Sequence, residues 1–267
     1  MRAIYSFFLT TFLLSACSGD NNKTEITNPI EPPENITVPD TNMAIPDNRF
    51  ANNYQVLLFG NSHVIGLSSL LKKLLNAGNP FATITIQNAG GGFLDNRSTQ
   101  QKRIDLLENQ PWTHVILQGQ KYSQSGATTY PVTAALSWIK KAKSLGITPI
   151  LFPEHPQQGK TQEGSRVHQI HTGIAEIQKS CVAPIGLTWD KVIMTLPQLV
   201  LHTPDGNHAA LTGQLLTAFV FYEVITGEAA DLLPFIKDID VNEATQQVLK
   251  QLASETIQAH QACLFEI

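Results

Sequence analysis

The sequence has few charged residues, few cysteines and no excess of positive charge. Of its 267 residues, 15% are charged and three are cysteine, and the formal net charge is −4. Domains that bind nucleic acid through its phosphates carry a basic patch or a basic overall balance. The composition therefore gives no indication of a DNA or RNA partner.

Nucleotide-binding and metal-binding patterns are also missing from the sequence. Three glycines stand at 90–92, but neither a Gly-x-x-x-x-Gly-Lys pattern nor a dinucleotide fingerprint surrounds them. His168 and His171 have helical i, i+3 spacing, yet no third ligand is suitably spaced, and catalytic zinc needs three. We expect this histidine pair on a solvated helix face, and we predict neither a metal nor another cofactor.

The N-terminus resembles that of a bacterial lipoprotein. An apolar run over residues 4–14 is too short to span a bilayer stably and is typical of a secretory signal. It ends in Leu-Ser-Ala-Cys, which resembles the lipobox, so we expect a signal peptide over 1–16 and lipid on Cys17. The alternative is ordinary cleavage before a free cysteine. Ser18, by resemblance to sorted lipoproteins, favours the outer membrane of a Gram-negative cell.

The segment that follows the predicted signal is polar. Residues 17–53 are rich in Asn, Thr, Pro and Glu, and such a composition cannot offset the entropy of ordering with a core. We predict a flexible tether over this segment. The remaining residues, 54–267, are predicted to form one domain that includes a C-terminal amphipathic helix, because α/β domains of this length are often single units.

Apolar strand-like runs alternate with amphipathic helical patterns in the predicted domain. The runs lie at 56–59, 83–87, 114–118, 147–152 and 182–185, and the helical patterns at 95–108, 130–144, 164–179 and 209–225. This alternation predicts an α/β fold, a three-layer α/β/α sandwich around a mostly parallel five-stranded sheet. Ligand chemistry is then expected at the carboxyl ends of the strands.

Ser62 stands at the most informative position of the chain. A buried strand pattern stops at Gly60-Asn61-Ser62 and a helical pattern begins directly after it, so backbone N–H groups near Ser62 would favour developing negative charge. A serine nucleophile also needs a base and an orienting carboxylate. Asp205 and His208, three residues apart before the helix at 209–225, can supply both. We predict a Ser62–His208–Asp205 triad.

The order of the motifs resembles the SGNH hydrolase superfamily of GDSL-type esterases and lipases. The motifs are Gly60-Asn61-Ser62-His63, Asn88-Ala89-Gly90 and Asp205-Gly206-Asn207-His208. The resemblance covers about residues 54–227 and implies the flavodoxin-like fold of that superfamily. It also implies that Ser62 is the nucleophile, that His208 is the base and Asp205 its orienter, and that the N–H groups of Ser62 and Gly90 stabilise the oxyanion.

The third block departs from the superfamily pattern. Gly-x-Asn-Asp usually follows the third strand, with the Asn amide donating to the oxyanion, whereas this sequence has Leu-Gln-Gly-Gln-Lys at residues 117–121. A glutamine amide offers the same N–H donor on a longer arm. Gln118 and Gln120 are both candidates. Gln118 is preferred because it ends the apolar run.

Several other side chains have two interpretations. Cys181 and Cys263 could form a disulfide in an oxidising envelope or remain separate buried thiols. His63 could line the site or help to begin the helix, and His155 could border the cleft. Four aromatic residues could stack on sugar rings or pack in the core: Trp112, Tyr122, Tyr130 and Trp138.

The resemblance implies a lipid-anchored envelope hydrolase that cleaves carboxylic esters through an acyl-enzyme. Members similar to this chain often remove acetyl groups from sugars, so O-acetyl esters of carbohydrates are preferred as substrates over lipid esters. The expected partners are a glycan or small-molecule ester and, through Cys17, the membrane. A non-catalytic glycan-binding or scaffolding lipoprotein that retains the SGNH shell is the alternative.

Overall fold

Five parallel strands form one sheet in the computed structural model, which describes residues 42–90, 94, 100–119, 122 and 128–266. The strands are β1 (Asn53–Phe59), β2 (Thr83–Asn88), β3 (His114–Gln118), β4 (Thr148–Phe152) and β5 (Cys181–Val182). Their order is β2-β1-β3-β4-β5, and each neighbouring pair is parallel. The chain reverses its direction of winding between β1 and β3. That is the switch point where open α/β sheets bind ligands.

Helices surround the sheet. In chain order they are α1 (Leu67–Gly78), α2 (Gln101–Glu108), α3 (Thr133–Ser144), α4 (Glu163–Ile177), α5 (Ile185–Thr195), α6 (Leu211–Thr226) and α7 (Glu243–Ala259). Short 3-10 turns lie at Ser62–Val64 and Ala230–Leu232. Among the described residues, none of the helices combines the length and apolar character needed to cross a membrane.

Each face of the sheet has its own hydrophobic core. Side chains alternate between faces along a strand, so Val56 and Leu58 of β1 enter one core and Leu57 and Phe59 enter the other. Helices α1, α5, α6 and α7 cover the first core, and α2, α3 and α4 cover the second. Both faces are therefore buried, and the predicted α/β/α fold with a parallel sheet is confirmed.

The last strand is shorter than predicted, and a helix was missed. β5 has two residues, and α5 begins at Ile185 instead of the strand extending over 182–185. Pro184 stands at the N-cap, and its carbonyl accepts a hydrogen bond from the Thr188 hydroxyl. Periodicity alone cannot distinguish a short buried strand from the first turn of a buried helix. The prediction was wrong here for that reason.

The folded domain begins earlier than predicted. Ile45 is only 6% exposed. The Asn48 amide donates to the carbonyls of Thr113 and Gly146, at 3.0 Å each. The described residues 42–53 are therefore part of the domain, which corrects the tether prediction for this stretch. The rest of the predicted signal and tether, including Cys17, lies outside the described residues.

The C-terminal segment is fastened to the edge of the sheet. A disulfide joins Cys181 of β5 to Cys263, and the Val182 N–H donates to the Ala262 carbonyl at 2.7 Å. The segment after α7 therefore covers the otherwise unpaired edge of β5. Covering an edge in this way satisfies its backbone hydrogen-bonding groups.

Candidate active site

A chain of hydrogen bonds joins three side chains that are far apart in sequence. The distance from Ser62 Oγ to His208 Nε2 is 2.7 Å, and that from His208 Nδ1 to Asp205 Oδ2 is 2.6 Å. The structure thus brings together all three residues of the predicted triad. They lie beyond the carboxyl end of β1, beside the switch point of the sheet.

A tight turn before α6 positions the acid and the base. The Thr203 N–H donates to the His208 carbonyl and closes the loop, and Gly206 adopts a φ of +68° that glycine tolerates best. The carboxylate of Asp205 accepts hydrogen bonds from the N–H groups of Asn207 and His208, at 2.8 and 3.0 Å, and from the Thr203 hydroxyl at 2.7 Å. The turn is therefore built around the Asp205 carboxylate.

These donors stabilise the charged form of Asp205. The backbone N–H of His208, followed by its imidazole, holds the pKa of Asp205 well below its usual value. An ionised carboxylate can only accept hydrogen bonds, so His208 Nδ1 must carry the proton. The lone pair on Nε2 then faces the Ser62 hydroxyl. This is the tautomer that a general base requires.

The turn that carries Ser62 leaves one backbone donor unused. The Asn61 N–H donates to Gln118 Oε1, and the His63 N–H donates to Asn61 Oδ1. The N–H groups of Val64 and Ile65 donate to the carbonyls of Asn61 and Ser62. Within the described part of the chain, the Ser62 N–H has no acceptor. It is the available donor for an oxyanion that forms next to Ser62 Oγ.

Gly90 lies after β2 with a backbone that suits glycine. Its φ is +87°, and a Cβ at this position would lie 2.7 Å from the Arg103 guanidinium. Its N–H, the second expected oxyanion donor, donates to the Asn88 side chain at 2.8 Å. In this structure the Gly90 N–H is therefore already hydrogen-bonded to Asn88 Oδ1.

The Gln118 amide does not have its expected position. The side chain is fully buried, accepts from the Asn61 N–H at 2.6 Å and donates through Nε2 to Glu154. Alternation along β3 explains this, because Gln118 shares the face of Ile116 and lies beneath the Ser62 turn. We correct its predicted role from oxyanion donor to a support of the turn. The alternative, Gln120, lies outside the described residues.

A stack of aromatic rings lies behind the ring of His208. The ring of His63 stacks on that of His208, with 5.2 Å between centroids and 23° between planes. His155 contacts His63 edge-on at 5.0 Å and stacks on Trp189 at 4.0 Å. His155 Nε2 also lies 3.0 Å from the Asn207 carbonyl. His63 and His155 thus support the ring and the turn of the base.

Glu154 belongs to the site but was not predicted from the sequence. It is 6% exposed, it accepts from Gln118, and one of its oxygens lies 3.9 Å from His63 Nε2. Its position gives a usable signal, because it lies two residues after the end of β4 and the carboxyl ends of parallel strands meet at one edge.

A cleft of about 770 Å³ opens beside the triad. Among the described residues that line it there is no Val, Leu, Ile, Met or Phe, and the side chains are carboxylates, amides, imidazoles and phenols, with Pro204 as the one aliphatic side chain. The polar ones are Asn61, His63, Tyr122, Tyr130, Glu154, Gln157, Gln158, Asp205, Asn207 and His208. The cleft therefore suits a polar ligand with many hydroxyl groups.

The histidine pair on α4 is not a solvated face. His171 is 1% exposed, its Nδ1 lies 2.8 Å from the Val167 carbonyl, and burial lowers its pKa to about 4. The solvated-face prediction was wrong because the buried stripe of α4 includes position 171. Within the described ranges, no cluster of three or more His, Cys, Asp or Glu side chains could hold a metal ion.

Solved structures share this architecture. A DUF4886 family protein from Bacteroides uniformis matches with a TM-score of 0.59 and 12% identity over 80% of this chain and 98% of its own. A protein from Slackia heliotrinireducens assigned to the SGNH hydrolases matches with a TM-score of 0.52 and 19% identity over 64% and 98%. The chain has the SGNH hydrolase fold.

A third structure of this fold, a gut microbial diltiazem-metabolizing enzyme, matches with a TM-score of 0.51 and 15% identity over 70% of this chain and 50% of its own. No protein-family model and no curated protein matches the chain. At these identities the similarity identifies the SGNH fold alone. Assignment of a function depends on the geometry of Ser62, Asp205 and His208.

Proposed function

We propose that this protein is a serine esterase that hydrolyses carboxylic esters through an acyl-enzyme. One observation supports the proposal above all others: the hydrogen-bonded series Ser62–His208–Asp205 at the carboxyl edge of the sheet. A serine that only capped a helix would not need an imidazole at 2.7 Å with a carboxylate behind it.

The geometry allows a standard two-step reaction. His208 Nε2 takes the proton from Ser62 Oγ as the oxygen attacks the ester carbonyl, and Asp205 stabilises the imidazolium. The imidazolium then donates its proton to the leaving alcohol, and the acyl group remains on Ser62. Water, deprotonated by His208, attacks the acyl-enzyme and releases the acid. The Ser62 N–H would stabilise the oxyanion in both steps.

We further propose that the substrate is an O-acetyl ester of a carbohydrate. The polar lining of the cleft offers hydrogen bonds to sugar hydroxyls and little surface for a long acyl chain, which disfavours the alternative of a lipid ester. Of the four aromatic residues considered for sugar stacking, three are buried, Trp112 and Tyr122 at 6% exposure and Trp138 at 3%. Tyr130, which is 38% exposed, lines the cleft and is the candidate for stacking.

The proposed location is the bacterial envelope, with lipid on Cys17 as the anchor to the outer membrane. The lipobox-like sequence at residues 14–17 supports this part of the proposal. Mass spectrometry of the mature N-terminus from cells tests it. Diacylglyceryl on the cysteine is expected, and an unmodified cysteine would remove the anchor from the proposal.

Purified protein and its Ser62→Ala variant test the catalytic proposal. With p-nitrophenyl acetate, the wild type is expected to turn over, and the variant to lose most of its kcat and keep only the residual rate that substrate binding and the oxyanion donor provide. A serine-directed phosphonate should label the wild type only, and peptide mapping should find it on Ser62. Acetylated oligosaccharides, compared with long-chain esters, then test the substrate class.

One observation favours the non-catalytic alternative. Asn88 engages the Gly90 N–H and Glu154 engages the Gln118 amide, so fewer oxyanion donors are available than the resemblance implies. Under this alternative the cleft would bind a glycan without cleaving it. Equal rates for wild type and Ser62→Ala, with no phosphonate labelling, would support it.

A further inference from the structure

A buried amide and a buried carboxylate lie directly beneath the nucleophile. Gln118 is fully buried and Glu154 is 6% exposed. The amide spans the gap between the backbone of Asn61, one residue before Ser62, and the Glu154 carboxylate. No step of the proposed reaction uses either side chain. Burying a carboxylate costs free energy unless hydrogen-bond partners compensate for its lost hydration. A buried carboxylate below the nucleophile is therefore expected to have a specific role.

The orientation of the Gln118 amide follows from chemistry. A backbone N–H can only donate, so the atom 2.6 Å from the Asn61 nitrogen must be the oxygen, Oε1. Nε2 then faces Glu154, whose carboxylate accepts a charge-assisted hydrogen bond from it. The flipped amide would set two donors against each other at Asn61. Glu154 thereby fixes which end of the Gln118 amide meets the nucleophile turn.

The Gln118 amide is packed tightly against the backbone of Gly60. A Cβ on Gly60 would lie 2.7 Å from Gln118 Oε1, so the amide rests directly against the backbone where β1 ends. With the Asn61 N–H held by Gln118 and the His63 N–H held by the Asn61 side chain, the peptide group before Asn61 and the one after Ser62 are fixed. The Ser62 N–H is left to face the reacting carbonyl oxygen.

Glu154 also lies against the support of the base. One of its oxygens is 3.9 Å from Nε2 of His63, whose ring stacks on His208 at 5.2 Å. The side chains of His63 and Glu154 are nearly buried, at 7% and 8% exposure, so solvent screens the interaction between them little. One carboxylate therefore contacts the supports of the nucleophile and of the base.

We propose that Gln118 and Glu154 are positioning residues that hold Ser62 and its N–H donor in their reactive geometry. The role of Gln118 in this fold is thus to shape the turn from below, where an oxyanion-binding amide was expected. The inference rests on the proposed esterase function for its kinetic consequences. Its structural consequence, a protected Asn61 amide, does not depend on catalysis.

Exchanging the amide of Gln118 and the carboxylate of Glu154 tests the positioning role. Gln118→Glu alone sets two carboxylates against each other and should lower kcat for p-nitrophenyl acetate by at least about tenfold, because a misplaced nucleophile loses transition-state stabilisation. The double variant Gln118→Glu/Glu154→Gln restores both hydrogen bonds with amide and carboxylate exchanged. It should recover most of the lost kcat. KM should change little in Gln118→Glu, because Gln118 is buried and does not line the cleft.

A matched pair on the surface provides the control. Gln251 donates through Nε2 to Glu255 on α7 at 2.9 Å; Gln251 is exposed and Glu255 is partly exposed. Gln251→Glu therefore makes the same change beside a glutamate, away from the cleft, and should leave kcat within about twofold of wild type. Thermal unfolding of all variants separates loss of positioning from loss of folding.

Amide hydrogen exchange of Asn61 supplies a second readout that needs no activity. In the wild type it should be slowed at least about tenfold relative to an unstructured peptide. Protection should fall in Gln118→Glu and return in the double variant. A fast-exchanging wild-type amide, or a folded double variant no more active than Gln118→Glu, would overturn the inference. A wild type that cleaves no ester but shows this protection pattern would instead refute the esterase function and leave the positioning role standing.

Discussion

Asp205→Asn tests the link between the carboxylate and the tautomer of the base. In the variant, the remaining carbonyl oxygen can still accept from the Asn207 and His208 N–H groups and from Thr203, so the turn should keep its shape. The new amide nitrogen replaces the oxygen that lies 2.6 Å from His208 Nδ1. It can only donate, so Nδ1 must become the acceptor and Nε2 must carry the proton. The imidazole then directs an N–H at Ser62 and cannot take its proton.

The size of the loss follows from how exposed the pair is. In a fully buried triad the wrong tautomer costs about 10⁴-fold in kcat. Here the side chains of His208 and Asp205 are 39% and 51% exposed, so water can partly solvate an imidazole that has turned away. We therefore expect a loss of about 10²- to 10⁴-fold.

The assay is the initial rate of p-nitrophenyl acetate hydrolysis at saturating substrate. Asp240→Asn provides a matched control, because Asp240 is an exposed aspartate outside the turn, in the loop before α7. Circular dichroism should show unchanged folding for both variants. A folded Asp205→Asn protein within about threefold of wild type would refute the assignment of Asp205 as the residue that orients His208.

Two further predictions concern stability. The Cys181–Cys263 disulfide spans 82 residues of sequence, and loop entropy predicts that replacing both cysteines by serine costs up to about 5 kcal/mol; a calorimetric melting temperature unchanged from wild type would contradict this. Burial lowers the pKa of His114 to about 3, so the folded state resists protonation that the unfolded chain accepts below about pH 6.5. The contribution of neutral His114 to the free energy of unfolding is therefore fully present above about pH 6.5, and it should decrease steadily as the pH falls to about 3. His114→Gln should flatten this dependence in urea titrations at pH 7, 5 and 4, and an equal slope in both proteins would argue against it.

The fold and the triad could be predicted from the sequence because local patterns encode both. Strand alternation along β1 determined which side chains enter each core, and the abrupt change from strand to helix at Gly60 placed Ser62 at the sheet edge. The i, i+3 spacing of Asp205 and His208 fits within one turn. The convergence of the two segments then followed from the parallel sheet, which gathers the carboxyl ends of its strands at one edge.

The supporting residues could not be predicted in the same way, because their roles depend on which face of a strand each residue occupies. Gln118 ends β3 as expected, but its side chain points beneath the turn, and only the register with β1 and β4 reveals its partners. Glu154 has no spacing relation to Gln118 or to His63 that a motif could capture. A donor on a longer arm was a reasonable prediction from residue type alone. The structure shows that the longer arm instead reaches the backbone of Asn61, which makes the amide a determinant of the position of Ser62.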